Sequence, residues 1–564
     1  MARRRFLPVL PIVTLVAMLG PVAAGLYGTL LPAFGHLPAA GLHGPSLDAF
    51  QDVLSWKGLP RAMMLSVTTG VLSTGLALTI VVLITAGWSG TKVFRAFQKA
   101  LSPLLSVPHA AAAFGIAFLI APSGWVSRAL SPWATGWERP PDLLIVQDAW
   151  GLSMTAGLIA KEVPFLLLMT LSALTQSDPV RSLSVAQSLG YGRVTGWCLT
   201  VFPRVYAQIR LPVYVVLAYA MSVVDVAIIL GPNTPPSLSV QIVKWMSDPD
   251  IAMRAQAAAA ALLQLGLVVV VLGVWLLGER LIARLGRNLA QTGRRGRADT
   301  MLRIVGVGLA TTSALAVGLG IAVLCVWSFA GFWGFPDAMP VEFTLRNWDR
   351  HLSGAGGAAL ETAIIAAFAT IIAAVLTIGC LEAEYRHGLR ITQKGLWLLY
   401  LPLIVPQIAF LPGLQTLMLT AGADMGRMPV VAAHLVFVLP YVFLSLADPY
   451  RAWDHRIGTV ASVLGASADR ILWRIRLPML LRPLLTAIAV GLAVSVGQYL
   501  PTLLIGGGRV QTLTTDAVAL ASGGDRRAIG VYGLMQTAAA LVPFAMALAI
   551  PALVWRNREG VRHV

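Results

Sequence analysis

Apolar runs of about 20 residues recur from one end of this chain to the other, each long enough to cross roughly 30 Å of hydrocarbon. That feature removes most folds. Backbone groups in lipid must be satisfied within the spanning structure, so such segments are helices or strands of a closed barrel. The runs are continuous and lack the ten-residue alternation of barrel strands, which excludes the barrel. Of 564 residues, 57% are hydrophobic and 12% charged, with mean hydropathy +0.76; soluble domains carry roughly 25% charged residues. The reading is an all-α membrane protein of about twelve spans. Arg3 to Arg5 precede a long apolar run with no clear cleavage site of small residues, so that run is read as an uncleaved first span.

Spans are expected at about 7–30, 62–88, 100–121, 151–175, 208–231 and 255–278, then at about 304–330, 360–381, 395–420, 429–448, 483–506 and 530–554. An Arg- and Gly-rich stretch separates the sixth from the seventh. This gives a first six-span domain over 1–278, a basic linker over 279–303 and a second six-span domain over 304–564. Lys and Arg gather on the cytoplasmic side of membrane proteins. With the N-terminus inside, 29 basic residues fall on inner segments and 10 on outer ones. The inner set includes Arg3 to Arg5, Lys92, Arg95, Lys99, the linker, Arg386, Arg390, Lys394, Arg556, Arg558 and Arg562. One missed span would invert every later loop, so the split supports the count and puts both termini in the cytoplasm. The net charge of +17 therefore reports topology and gives no reason to expect nucleic acid. Cys198, Cys325 and Cys380 lie far apart, with no disulfide or metal spacing, and read as packing residues.

One short pattern occurs twice, 275 residues apart, each time in a basic loop between the fourth and fifth spans of a half. The first copy, in the loop 180–207, is Ser184-Val185-Ala186, Gly190 and Phe202-Pro203. The second, in the loop 452–482, is Thr459-Val460-Ala461, Gly465 and Ile475-Arg476-Leu477-Pro478. Glycine suits a left-handed helix cap, alanine allows close approach, and proline fixes a bend near the inner surface. The expected product is a helix–Gly–helix elbow able to tilt two spans as a lever; an ordinary helical hairpin is the plainer alternative. The halves also match at Leu65-Ser66 with Glu361-Thr362, Pro108 with Pro406, and Pro164 with Pro440, making a parallel repeat of the kind common in transporters.

This pair of loops resembles the E-A-A-x3-G-x9-I-x-L-P loop of ABC importer permeases. The chain is similar over nearly its whole length to the fused type, with two permease domains in one polypeptide, as in ferric-iron and thiamine importers. Serine and threonine replace the usual acid at 184 and 459, and valine the usual second residue at 185 and 460. The resemblance implies that Ser184, Ala186, Gly190, Pro203, Thr459, Ala461, Gly465, Leu477 and Pro478 form two coupling helices gripped by two cytoplasmic ABC ATPase subunits. ATP and Mg would be bound by those subunits, and an external solute-binding protein would deliver the solute. Ser222 to Gly231 and Gly497 to Gly506 look like the family's Gly-Glu-Phe-Gly-Ala-Thr stretch in the pathway, without the usual acid.

Ionisable groups inside a bilayer are costly and face a partner or a wet path. The pathway candidates are Asp225, Gln498, Tyr499, Thr502, Lys161 and Glu162. For Asp225, lining the path and a buried hydrogen bond are both open. Lys161 and Glu162 point about 100° apart and should pair with other spans. His109 and His434 read as satisfied polar groups. The outer loop 122–150 holds Trp125, Trp133, Trp137 and Trp150, either as an interfacial belt or as a docking surface for an external protein. No catalytic constellation, metal spacing or G-x4-G-K-[ST] phosphate loop is present, so the chain reads as a transport subunit and not an enzyme. An ion-coupled secondary transporter of 6+6 architecture is the alternative, although Ser89 to Arg95 lacks that class's Gly-Asp-Arg pattern. Ferric iron, thiamine or another small polar solute all remain compatible.

Overall fold

The computed structural model describes residues 7–176, 178–293, 295–388 and 393–554. Arg3 to Arg5, Arg294, Arg390, Arg556, Arg558 and Arg562 lie outside the described residues, as does the Lys394 side chain. Among the described residues, ten helices are long and apolar enough to cross a membrane, or up to 12 if each of two bent pairs is one span. The uninterrupted spans include Leu7–Ala33, Leu59–Trp88, Leu152–Thr175, Thr300–Phe329, Arg346–His387 and Arg427–Arg451. The sixth, Met253–Gln291, runs far into the stretch read as a linker, and the seventh starts at Thr300. Only the short segment between them is non-helical.

Four expected spans are broken. The segment 100–121 is an amphipathic helix, Lys92–Ser106, followed by a separate helix, His109–Ile120. Its counterpart 395–420 divides into Trp397–Ile404 and Gln407–Thr420, bent by 81°. The cause is Pro108 and Pro406. Each lacks an N–H and forces its predecessor out of the helical region, so Val107 is extended. The segment 208–231 starts earlier, as Phe202–Ser222, stops at extended Val223, and restarts as Asp225–Leu230. The Ser222 hydroxyl bonds back to the Ala218 carbonyl at 2.7 Å, which competes with the ladder before two β-branched valines. The segment 483–506 divides likewise into Leu481–Val496 and Leu500–Ile505.

The two halves are interlaced. The first span packs along Gln407–Thr420 of the second half, and the seventh packs along His109–Ile120 of the first. Lipid offers no hydrophobic drive between helices, so such contacts rest on close backbone approach. A Cβ on Gly413 would stand 2.1 Å from the Gly25 carbonyl oxygen, and one on Gly115 would stand 2.6 Å from the Gly320 carbonyl carbon. Gly115 and Gly413 are 298 residues apart, the same offset as the two helix-breaking prolines. The Thr29 hydroxyl adds a bond to the Ala409 carbonyl at 2.9 Å.

Gly413→Leu and Gly115→Leu should each lower folded yield and the thermal midpoint of the purified protein, because backbone must move; overpacking costs about 1–3 kcal/mol or more. Gly75→Ala, where an added Cβ meets no atom within 4 Å, should behave like the unaltered chain. Equal midpoints for all three variants would contradict the glycine-to-backbone packing.

Candidate functional site: two elbows and a polar cluster between the halves

Both repeated loops fold as elbows of one design. The first joins Pro179–Ser188 to Arg193–Thr200, and the second joins His455–Val463 to Ala468–Ile471. Asp178 caps one leading helix through the Arg181 N–H, and Asp454 caps the other through the Arg456 N–H. Gly190 and Gly465 have φ of +85° and +83°, a region that a side chain makes costly. The same three backbone bonds close each turn. Residues 189, 190 and 191 donate to 185, 187 and 186, while 464, 465 and 466 donate to 460, 462 and 461. Ala186 and Ala461 are buried in the crook, where a Cβ on Gly196 would lie 3.0 Å from that of Ala186. Ser184 and Thr459 are exposed and bond back to their own helices, at Val180 and His455. Pro203 and Pro478 sit in the first turns of the helices that follow, and Leu477 is buried. A 77° bend follows the second elbow.

The outer faces are apolar. Val185, Leu189, Val460, Val463 and Leu464 are all more than half exposed, the last two at 82%. They extend from basic loops, where neither core packing nor a chain of apolar neighbours explains them.

Each elbow is fixed by arginine to the end of the second span of its half, with different chemistry. Arg193 donates to the carbonyls of Ala86 and Ser89, at the C-terminus of Leu59–Trp88, a natural place for a cation. In the second half, Arg476 is 1% exposed and pairs with Glu382 on Arg346–His387 at 2.5 Å. Its guanidinium lies 3.6 Å from the Tyr385 ring centroid and 4.3 Å from that of Trp453. Tyr450 donates to the same carboxylate, and Arg386 joins Glu382 to Asp469 of the elbow. The first half has Val201 where the second has Arg476. There the segment between the sixth and seventh spans straps the elbow. Gly192 donates to the Arg295 carbonyl at 3.0 Å, Arg297 to that of Gly190 at 3.4 Å, and the Val194 N–H to Asp299 at 2.7 Å. Cys198 sits in this elbow, and burial pushes its thiol up to about 11.

Deep between the halves, the broken helices bring polar groups together. Lys161 donates to the carbonyls of Leu104 and Val107 at 2.9 and 2.6 Å, satisfying groups freed by the break before Pro108. Glu162 faces the other way, its carboxylate 3.7 Å from His109 Nε2. The His109 ring lies 5.0 Å, centroid to centroid, from Tyr219. Asp225 opens its short helix, buried and within electrostatic reach of His109, Tyr219 and Tyr499. From the second half come Tyr441, within reach of Glu162, and Gln498, which receives a bond from Gln407 at 3.5 Å. Thr502 stands apart. It is fully buried and bonded to His434, whose other ring nitrogen meets Ser495, both at 2.8 Å. Lys161 and Thr502 therefore hold spans together, while Glu162, Asp225, Gln498 and Tyr499 approach the space between the halves. Sequence reasoning missed His109 as a member, and Gln407, Tyr219 and Tyr441 altogether. One signal was available, because His109 and Gln407 each follow a helix-breaking proline of the repeat.

At the end opposite the elbows, arginines knit the two halves. Arg128 donates to Ser123 and across to the Asp337 carbonyl, while Arg527 donates within the second half, to the carbonyls of Ala330 and Gly331. Arg526 donates to Ser123, and Trp125 to the Ala338 carbonyl. Trp133 and Trp150 are left largely exposed. An open cavity of about 420 Å³ lies there, lined by Arg128, Arg526, Arg527 and Asp525 among others.

No family model matches the chain. It is 31% identical over 557 residues to the inner membrane ABC transporter permease protein YnjC of Escherichia coli K12, covering 97% of this chain and 98% of that one. It is 27% identical over 150 residues to the spermidine/putrescine transport system permease protein PotC of Haemophilus influenzae, covering 27% of this chain and 58% of PotC. A Salmonella typhimurium protein, PhnV, named provisionally as a 2-aminoethylphosphonate transport system permease, is 28% identical over 191 residues, 33% of this chain and 71% of its own.

The asymmetry of the anchors has a measurable consequence. Glu382→Ala strands the buried Arg476 charge and should cost about 3–5 kcal/mol of stability. Replacing both Glu382 and Arg476 by methionine should recover most of that loss in thermal unfolding, since the first half manages with valine at the matching position. A double variant no more stable than the single one would contradict the stranded Arg476 charge as the source of the loss.

Proposed function

The chain belongs to the inner-membrane permeases of ABC transporters, and on that premise we propose that it forms the solute pathway of an importer and takes force from two cytoplasmic ATPase subunits through its two elbows. The observation that carries this reading is the duplicated elbow itself. Two loops 275 residues apart share a cap, a left-handed glycine and a buried alanine, and both present bare aliphatic side chains. Such faces fit clefts on a partner. The elbows lie on the side that positive charge assigns to the cytoplasm, with both termini. ATP and Mg belong to the partner in this reading.

The mechanics follow from the anchors. Each elbow is rigidly joined to the second span of its half, by Arg193 to Ala86 and Ser89, or by Arg476 to Glu382. A push on the elbow thus reaches spans two, four and five together. Closure of the ATPase pair would draw the elbows inward and open the far side; release would reverse it. Motion of this kind needs two packed arrangements and no reacting group in the chain. The pathway lies between the halves, where the helices break. A solute-binding protein would dock at the opposite end, over the exposed tryptophans and the arginine-lined cavity.

The secondary-transporter alternative is not favoured, because the relative matched along 97% of the chain is named an ABC permease. The relatives' names specify polyamines and 2-aminoethylphosphonate. They select neither the ferric iron nor the thiamine of the fused permeases that the loops resemble.

Replacing both Gly190 and Gly465 by valine should abolish ATPase stimulation and solute uptake while the chain still reaches the membrane, since a valine strains both left-handed caps. Undiminished uptake in that double variant would remove the coupling role. A cysteine at Leu464 should be labelled by an impermeant thiol reagent only from the cytoplasmic side. Cys198, with its thiol pushed up to about 11, should add little background at pH 7.

A further inference from the structure

The polar cluster between the halves points to the class of solute. Glu162 is 4% exposed, and among the described residues its one recorded side-chain neighbour at ion-pair range is His109, at 3.7 Å. That exceeds hydrogen-bond length. A carboxylate has about four acceptor sites, and a buried one left unfilled is costly. Asp225 is 6% exposed and leans on the backbone N–H groups that open its own helix. No side-chain donor to it is recorded among the described residues. The nearby ammonium does not fill this need. Lys161 is turned away into the carbonyls of Leu104 and Val107. Two carboxylates thus lie beside a single ammonium that backbone carbonyls already engage.

The surroundings are aromatic. The Tyr219 ring lies tilted against His109 and within reach of Asp225, Glu162 and Tyr441, while Tyr499 lies within reach of Asp225. His109, Tyr219, Tyr441 and Tyr499 are each half-buried, unlike the apolar residues that surround them, so each keeps part of its surface accessible. Buried carboxylates supply charge, and ring faces attract a cation that has lost its water. Both halves contribute groups, so a bound solute would bridge the parts that move.

We propose that the cluster of His109, Glu162, Tyr219, Asp225, Tyr441 and Tyr499 binds a small organic cation. This deepens the permease reading, since it takes the gap between the halves as the solute path. An anion meets two carboxylates there.

The test uses the full chain in lipid nanodiscs at pH 8, with radiolabelled choline as the probe and glutamate as the anionic comparison. Saturable choline binding is expected, weakened at least ten-fold in Glu162→Gln and in Asp225→Asn. Tyr441→Phe should bind choline within two-fold of the unaltered chain, and Tyr441→Leu at least ten-fold more weakly, because a ring face is needed and a hydroxyl is not. Absence of saturable choline binding, equal binding by both acid variants, or preferential binding of glutamate would overturn the proposal. Should Glu162→Gln fail to fold, Asp225→Asn and the Tyr441 pair decide. Copurification of an ABC ATPase is measured on the same samples. A retained ATPase without choline binding sinks the cation site and spares the permease reading. Choline binding with no ATPase association does the reverse.

Discussion

Two backbone crossings hold the molecule in one piece. Gly25 against Gly413, and Gly115 against Gly320, let the first span of each half lie directly on the other half. In a bilayer the gain from such contact is dispersion and local hydrogen bonding, because lipid tails compete for every apolar surface. Only small residues allow the approach. The consequence is mechanical. Each half is embraced by a span from its counterpart.

The same regions carry the helix breaks. Pro108 and Pro406 sit a few residues from Gly115 and Gly413, and each break frees carbonyl and N–H groups at membrane depth. Non-helical backbone is tolerated there only when protein or water satisfies it. Lys161 satisfies one such end. Held by those carbonyls, the ammonium is turned away from the adjacent Glu162. One lysine thereby stabilises the break and leaves the Glu162 carboxylate beside His109.

The elbows show how far symmetry extends. Their turns match bond for bond, yet their foundations differ. One rests on a buried Arg476–Glu382 pair, the other on carbonyl contacts of Arg193 and a strap formed by residues 295–299. A fused chain permits this divergence, since only one of the halves is followed by the connecting segment.

Much of this was legible in the chain. Twelve spans, their parallel repeat and both elbows follow from local rules: apolar length against bilayer thickness, and glycine where φ must be positive. These depend on neighbours a few residues away. The breaks at Pro108 and Pro406 were partly legible, because proline forbids the ladder bond, although continuous apolarity masked them. The breaks at Val223 and Gln498 had no comparable signal. Sequence alone could not pair Glu162 with His109, turn Lys161 onto carbonyls, or separate buried Thr502 from half-exposed Tyr499. Those facts depend on which spans meet at one depth, and in lipid that choice is made by shape complementarity over long separations. Composition decided that the chain spans a membrane as helices; only the packing of glycine against backbone decided which polar groups share the space between the halves.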